Sequence, residues 1–320
     1  MKSLFILLIN ALYFKNSVLI SMRPIQWSKN LLIFLPLVFS VQEKWSTDEL
    51  SVLAQLLAKV SIGAIILCIL SGSIYIMNDV FDKVGDSQHP RKQNRPVASG
   101  ILPVKLAILI AILLMILAII SCFLLNTRFG ILATSLVAMN LGYSSFFKNI
   151  VILDVLIVGT AYLLRVVGGA LLIEVSISPW IYSTVGLGAL FIALAKRYSE
   201  LRSAGTLASN QRAVLGLYSL PFLMQLITVT STATLVAYSL YTFTSNNVPN
   251  NHSMMLTIPL VIFGLFRYLY LINHTNEAEN PEFAIIHDWQ LAIVVPTWAV
   301  SAIIILIMAR SCQLSLTLSN

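Results

Sequence analysis

The segment from 78 to 100 gathers Asn78, Asp79, Asp82 and Asp86 and, directly after them, His89, Arg91, Lys92 and Arg95. Asn78, Asp82 and Asp86 recur every fourth residue, which on a helix keeps their side chains within about 80° of one another, so their oxygens can converge. At the C-terminal end of a helix the macrodipole disfavours each negative group by about 0.3–1 kcal/mol. Something cationic must offset that: the Lys and Arg residues that follow, or a bound divalent ion. Hard oxygen donors of the Asp and Asn type suit Mg2+, which takes one or two carboxylates together with substrate phosphates and waters. No Cys is near and His89 is distant, which argues against zinc or copper. Carboxylates holding Mg2+ beside Arg91, Lys92 and Arg95, which can bind phosphate oxygens directly, form the arrangement a diphosphate substrate needs. The competing reading is a solvated loop whose charges pair with one another.

Other polar groups punctuate the apolar sequence. Lys196, Arg197, Tyr198, Ser199, Glu200 and Arg202 close one apolar stretch, and Tyr143 to Lys148 close another. Asp154 lies a turn into the next stretch, where it can reach the same mouth or pair with Lys148 or Arg165, and its role stays open. Glu277, Glu279, Glu282 and Asp288, with His274 and His287, read as a solvated acidic loop. Cys68, Cys122 and Cys312 stand singly in apolar surroundings, so free core thiols are expected and neither a disulfide framework nor a zinc site. No Ser-His-Asp or Cys-His set is recognisable.

The elements that must position these groups are membrane helices. Of the 320 residues 58% are apolar and only 10% charged, with a mean hydropathy of +0.87, whereas soluble domains carry about 25% charge. The fold class is therefore all-α and polytopic. Nine stretches read as spans: 25–41, 51–78, 103–125, 129–147, 150–173, 179–196, 213–243, 254–273 and 290–310, most near the ~20 residues a bilayer requires. Residues 1–22 are apolar but interrupted by Asn10, Lys15 and Asn16, and read as a helix in the interface, with the integral-membrane domain over 23–320.

Lys and Arg set the orientation. With the N-terminus inside, the cytoplasmic side receives Lys2, Lys15, Arg23, Lys29, Lys83, Arg91, Lys92, Arg95, Lys105, Lys148, Lys196, Arg197, Arg202 and Arg212, against Lys44, Lys59, Arg128 and Arg310 outside. That asymmetry obeys the positive-inside rule. Arg165 and Arg267 fall within spans, where each costs at least ~2.5 kcal/mol on insertion scales, so each should face a polar cavity or a partner.

Together these segments resemble the UbiA superfamily of intramembrane prenyltransferases. Its NDxxDxxxD motif is matched by Asn78, Asp79, Asp82 and Asp86, and the likeness takes in Arg23 to Asn30, His89 to Pro96, Tyr143 with Lys148, and Asp154 with Arg165. The details look closest to the branch that moves phosphoribosyl onto decaprenyl phosphate. The resemblance implies a nine-helix bundle around a central cavity open to the cytoplasm, in a bacterial plasma membrane. It departs from most of the superfamily after the sixth helix, where Lys196, Arg197 and Glu200 stand in place of a second Asp pair.

In that reading phosphoribosyl diphosphate is the donor, a polyprenyl phosphate in the bilayer the acceptor and Mg2+ the cofactor. The resemblance assigns Asn78, Asp79, Asp82 and Asp86 to the metal, with Asp82, Asp86 and Glu200 in the catalytic set, Glu200 toward ribose hydroxyls or a metal-bound water. Arg91, Lys92, Arg95, Lys196 and Arg197 fall to phosphates, with Lys29, Tyr143 and Lys148 as further substrate contacts. A lipid phosphate is already anionic near neutral pH, so positioning and charge stabilisation carry the chemistry. Two alternatives are prenyl transfer to an aromatic or other small acceptor, and a transporter or lipid-binding protein without chemistry. No pair of broken Gly- or Pro-rich helices marks a transporter midplane site, and the net charge of +7 follows the membrane topology and anionic substrates, not nucleic acid.

Overall fold

The computed structural model describes residues 16–41, 43–46, 49–88, 92–176, 178–204, 213–245, 248–249, 251–274 and 287–317. The helices are α1 (Leu35–Phe39), α2 (Leu50–Phe81), α3 (Lys83–Gln88), α4 (Val104–Leu125), α5 (Thr127–Ser145), α6 (Leu153–Ile173), α7 (Pro179–Ala204), α8 (Leu220–Thr244), α9 (Ile258–His274) and α10 (Trp289–Thr317). Among the described residues, seven helices are long and apolar enough to cross a membrane. The chain is an integral membrane protein.

Three expected spans differ, the stretch 254–273 opening on a 3-10 turn, Ser253–Thr257, before α9. The stretch 25–41 is not one α-helix: a 3-10 segment, Pro24–Phe34, leads into the short α1. Pro36, near the start of α1, has no N–H to extend a preceding helix and suits a fresh first turn. The stretch 213–243 divides into a 3-10 turn, Ala213–Leu217, and α8, where Ser219 caps the new helix by accepting from Phe222 N at 3.3 Å. Of the expected interfacial helix, residues 16–22 are helical and 1–15 lie outside the described residues. The expected span at 129–147 is present as α5, which is not one of those seven. Its Thr134, Ser135 and Asn140 bond the carbonyls of Gly130, Ile131 and Leu136 at 2.7–3.0 Å, so their polarity is met within the helix.

The chain forms two compact units, one of residues 1–31 and 61–148, the other of residues 32–60 and 149–320. In the first, α4 presents small residues, Ala107, Ala111 and Ala118, on its buried face, while Leu109, Leu113, Ile120 and Leu124 stand exposed. In a bilayer apolar residues gain nothing by leaving lipid, so small residues that allow close packing mark the inner face. Met22, Ile76, Val97 and Leu102 pack with Ala107 and Ala111 beside the Asp-rich end of α2. Asn126 caps α5 through Arg128 N at 2.9 Å and Phe129 N at 3.1 Å.

In the second unit α7 packs against both α6 and α8. Gly169 of α6 meets the chain just before α1 so closely that an added Cβ would collide with the Ile33 carbonyl, so glycine is required there. One core joins Val155, Phe191, Leu194, Tyr218, Leu223, Ile227 and Leu271. Arg202 donates to the Ile272 and Asn273 carbonyls at 2.8 and 2.7 Å, satisfying the open C-terminal end of α9.

Candidate functional site

In the first unit the acidic motif lies where α2 gives way to α3. The regular α-helix lapses at Asp82, yet Asp82 N still bonds Asn78 O at 2.9 Å and Asp86 N bonds Asp82 O at 2.8 Å, so the four-residue helical register carries through. The side chains nonetheless do not turn to one another. Asn78 Oδ1 accepts from Ser144 Oγ at 2.5 Å, Asp82 pairs with Lys148 at 2.6 Å, and Asp86 pairs with Arg95 at 2.5 Å. Asp79, 2% exposed, is bound by Arg23 and by Arg95 at 3.3 Å. Among the described residues no three His, Cys, Asp or Glu side chains gather around one point. Asn78, Asp82 and Asp86 thus each engage a separate partner, Ser144, Lys148 and Arg95, and Arg95 also reaches Asp79.

These residues still fit a divalent cation on two grounds. The donors are hard oxygens, as Mg2+ requires. One cationic nitrogen, Arg95 Nη1, is already shared by Asp79 and Asp86, so that pair is arranged around positive charge. Asp79 is nearly closed off and bonded by two guanidiniums, those of Arg23 and Arg95. Arg23 adopts φ of 52°, uncommon for a side-chain-bearing residue, and also lies over the Tyr75 ring at 5.3 Å.

Of the remaining expected residues in this unit, Lys92 begins a 3-10 turn, Lys92–Asn94, Tyr143 precedes Ser144 on α5, and Lys29 Nζ donates to Gln26 Oε1 at 2.5 Å. Arg91 lies outside the described residues.

The second unit holds a different cluster, built on α7. Arg197 is 4% exposed; its Nε donates to Asp154 Oδ2 at 2.7 Å and its Nη1 to Glu200 Oε2 at 2.6 Å. Asp154, with no exposed surface, also accepts from Tyr218 Oη at 2.7 Å. Tyr218 Oη in turn accepts from Ile152 N at 2.7 Å. Ile152 has φ of 70°, costly for a β-branched residue, which ends the chain's approach and starts α6 three residues later than the sequence predicts. Burial, and then the bond to Asp154, pushes the Tyr218 hydroxyl above the ordinary tyrosine range, so it stays a donor. Asp154 therefore pairs with Arg197, not with Lys148 or Arg165. Arg197 thus meets two carboxylates. Lys196 shares the same turn of α7.

The intramembrane arginines also find partners. Arg267 grips Asp288 through Nε at 3.1 Å and Nη2 at 2.7 Å. Asp288 is buried and caps α10 by accepting from Leu291 N at 3.0 Å, so it is not part of a solvated loop. The Arg267 guanidinium holds its carboxyl below the usual Asp range. Glu277, Glu279 and Glu282 lie outside the described residues. Arg165, 7% exposed, donates to the Ala161 carbonyl on its own helix.

Sequence reasoning did not single out Tyr218, Ser144 or Arg23 as site residues. Arg23 sat in the segment of family likeness and Ser144 beside Tyr143, so both carried a signal. Tyr218 carried none, since its partner is 64 residues away.

Comparison with known proteins accords with this architecture. A decaprenyl-phosphate phosphoribosyltransferase of Mycolicibacterium smegmatis is 29% identical over 287 residues, covering 87% of this chain and 88% of that protein. One of the same name from Corynebacterium glutamicum is 26% identical over 283 residues, covering 87% of this chain and 83% of that protein. A UbiA homolog from Archaeoglobus fulgidus, solved with GPP and Mg2+, shares the fold with a TM-score of 0.68 at 16% identity, covering 91% of this chain and 99% of that one. The model of the UbiA prenyltransferase family matches residues 49–288, and the chain belongs to that family.

Proposed function

We propose that this protein transfers a 5-phosphoribosyl group from phosphoribosyl diphosphate to a polyprenyl phosphate in the membrane, releasing diphosphate, with its N-terminus and acidic cluster on the cytoplasmic side of a bacterial plasma membrane. The observation that carries this reading is the near end-to-end relation to proteins named decaprenyl-phosphate phosphoribosyltransferase. The clusters support it: one acidic group suited to a metal diphosphate, and at the end of α7 an Arg197–Glu200 pair instead of a second set of paired aspartates.

In this reading Asn78, Asp82 and Asp86 hold Mg2+, which when bound shields the charge of the departing diphosphate. Arg95, Lys92 and Lys148 then serve as donors to phosphate oxygens, and Asp79 keeps Arg23 and Arg95 in place. In the second unit the Glu200 carboxylate is fixed by Arg197. The lipid phosphate oxygen attacks the anomeric carbon as its bond to diphosphate breaks, so inversion at that carbon is expected. The lipid phosphate already carries the needed charge, and the protein's work is orientation and electrostatic stabilisation.

The competing chemistry within the family is transfer of a prenyl group from prenyl diphosphate. Membranes bearing the protein, supplied in parallel with labelled phosphoribosyl diphosphate plus polyprenyl phosphate or with labelled prenyl diphosphate plus hydroxybenzoate, distinguish the two. Label entering the lipid fraction only in the first arm is the expected result. Label appearing only in the aromatic product would overturn the proposal.

A further inference from the structure

The carboxylates assigned above to the metal are already matched by bases of their own unit. Arg95 Nη1 lies 2.5 Å from Asp86 and 3.3 Å from Asp79, and Lys148 Nζ lies 2.6 Å from Asp82. Each base engages one oxygen of its carboxylate, Asp86 Oδ2 and Asp82 Oδ1, so a divalent ion drawn to these acids meets a guanidinium and an ammonium whose like charge favours their moving away. Both bases are about a quarter exposed, at 25% and 27% of their side-chain surface, while the acids they hold range from 5% for Asp86 to 42% for Asp82. In the Arg95–Asp86 pair the base is the member with room to swing, and in the Lys148–Asp82 pair both members have it. Arg23 and Asp79 are held differently: Asp79 keeps one guanidinium whatever Arg95 does.

Displacing these bases alone would place a divalent ion, a guanidinium and an ammonium close together with too little negative charge among them. A diphosphate resolves this, because it accepts hydrogen bonds from both displaced bases while it bridges to the ion. We propose that Arg95 and Lys148 are exchangeable counter-cations: they neutralise Asp86 and Asp82 in the free protein and move to the diphosphate when the metal takes their place. Metal and diphosphate then bind as a coupled pair, each poor alone, and the free protein does not carry the ion as a resident. The inference rests on the metal reading under Proposed function and adds to it the order and mutual dependence of binding.

Coupling of this kind is reciprocal and usually amounts to about 5- to 150-fold in affinity. The test titrates the purified full-length protein in detergent with Mn2+ and follows the free-ion electron spin resonance signal, with and without inorganic pyrophosphate at buffered free Mn2+. The wild type is expected to bind Mn2+ weakly alone and about tenfold more tightly with pyrophosphate. Arg95→Gln and Lys148→Met are each expected to bind Mn2+ alone about tenfold more tightly than the wild type and to lose most of the gain from pyrophosphate. Arg95→Lys should keep wild-type behaviour. A merely structural ion pair predicts the opposite sign, since losing it would loosen the acidic end of α2 and weaken metal binding. Lys148→Met keeps the test decisive if Arg95→Gln fails to fold, because the Lys148–Asp82 pair is the more exposed of the two. Unchanged or weaker Mn2+ binding in the folded variants overturns the exchange. Absence of Mn2+ binding to the wild type in both conditions overturns the metal reading itself, and the exchange with it.

Discussion

Two clusters of aspartate and arginine, one in each compact unit, use the same residue types for opposite ends. Around Asp82 the pair is partly open: Lys148 and Asp82 expose 27% and 42% of their side chains. Around Asp154 the pair is closed, with Arg197 at 5% and Asp154 at 0%, and Tyr218 satisfies the second carboxylate oxygen. A half-exposed pair gains at most about 1 kcal/mol over its hydrated separate groups and can exchange partners with little loss. A buried pair cannot, because either ion left alone would be stranded without water. Burial, not composition, decides which cluster is available for chemistry and which serves as a joint of the fold.

The largest expected effect follows from the closed cluster. Asp154→Ala strips the buried Arg197 guanidinium of one of its two carboxylates, leaving Glu200, and removes the acceptor for Tyr218. A loss of about 3 kcal/mol of stability is expected, visible as a lowered melting temperature of the detergent-solubilised protein and a reduced yield of folded material. A wild-type melt in this variant would show that Asp154 is no joint and erase the distinction between the clusters. The open cluster should respond the other way. Asp82→Ala is expected to abolish phosphoribosyl transfer while the stability changes by less than about 1 kcal/mol, since its partner Lys148 can return to water. Retained turnover with a normal melt would remove Asp82 from the metal site.

The open cluster was the more legible of the two because its information is local. Three oxygens at a spacing of four declare a helix face in the sequence itself, and the bonds from Asp82 N to Asn78 O and from Asp86 N to Asp82 O keep that face in the structure. What the spacing left out was where those oxygens turn, since Lys148 and Ser144 arrive from 66 residues away. Asp154 was visible as a lone carboxylate in an apolar run, but its partner Arg197 was not among the two bases the sequence offered, because that pairing depends on how α6 and α7 pack. Tyr218 lay inside what reads as a continuous span, and only the break before Ser219 shows that its hydroxyl serves Asp154 and Ile152. The apolar spans were readable where hydropathy is uniform, as in α4. The reading failed at 25–41, where Pro24 and Pro36 interrupt a helix that composition alone allows.

The Arg267–Asp288 pair stands between the two extremes, with 24% and 6% of side-chain surface exposed, and pH offers a way to place it. Asp288 is held below the ordinary carboxylate range, first by its bonds with Arg267 and, against the cost of burial, by accepting from Leu291 N at the start of α10. A carboxyl lowered in the folded state releases its proton more readily there than in the unfolded chain, so the unfolded chain binds more protons as pH falls. The contribution is therefore complete above the unfolded value of about 3.9 and is lost as pH drops through the lower folded value. Asp288→Asn should melt below the wild type at neutral pH, and the two curves should draw together as pH falls below about 4. A gap that stays constant across that range would mean the carboxylate's charge is irrelevant and that Asp288 acts only as a neutral helix cap. A gap that closes would place this pair with Arg197–Asp154, as a charged joint of the fold, despite the surface Arg267 leaves open.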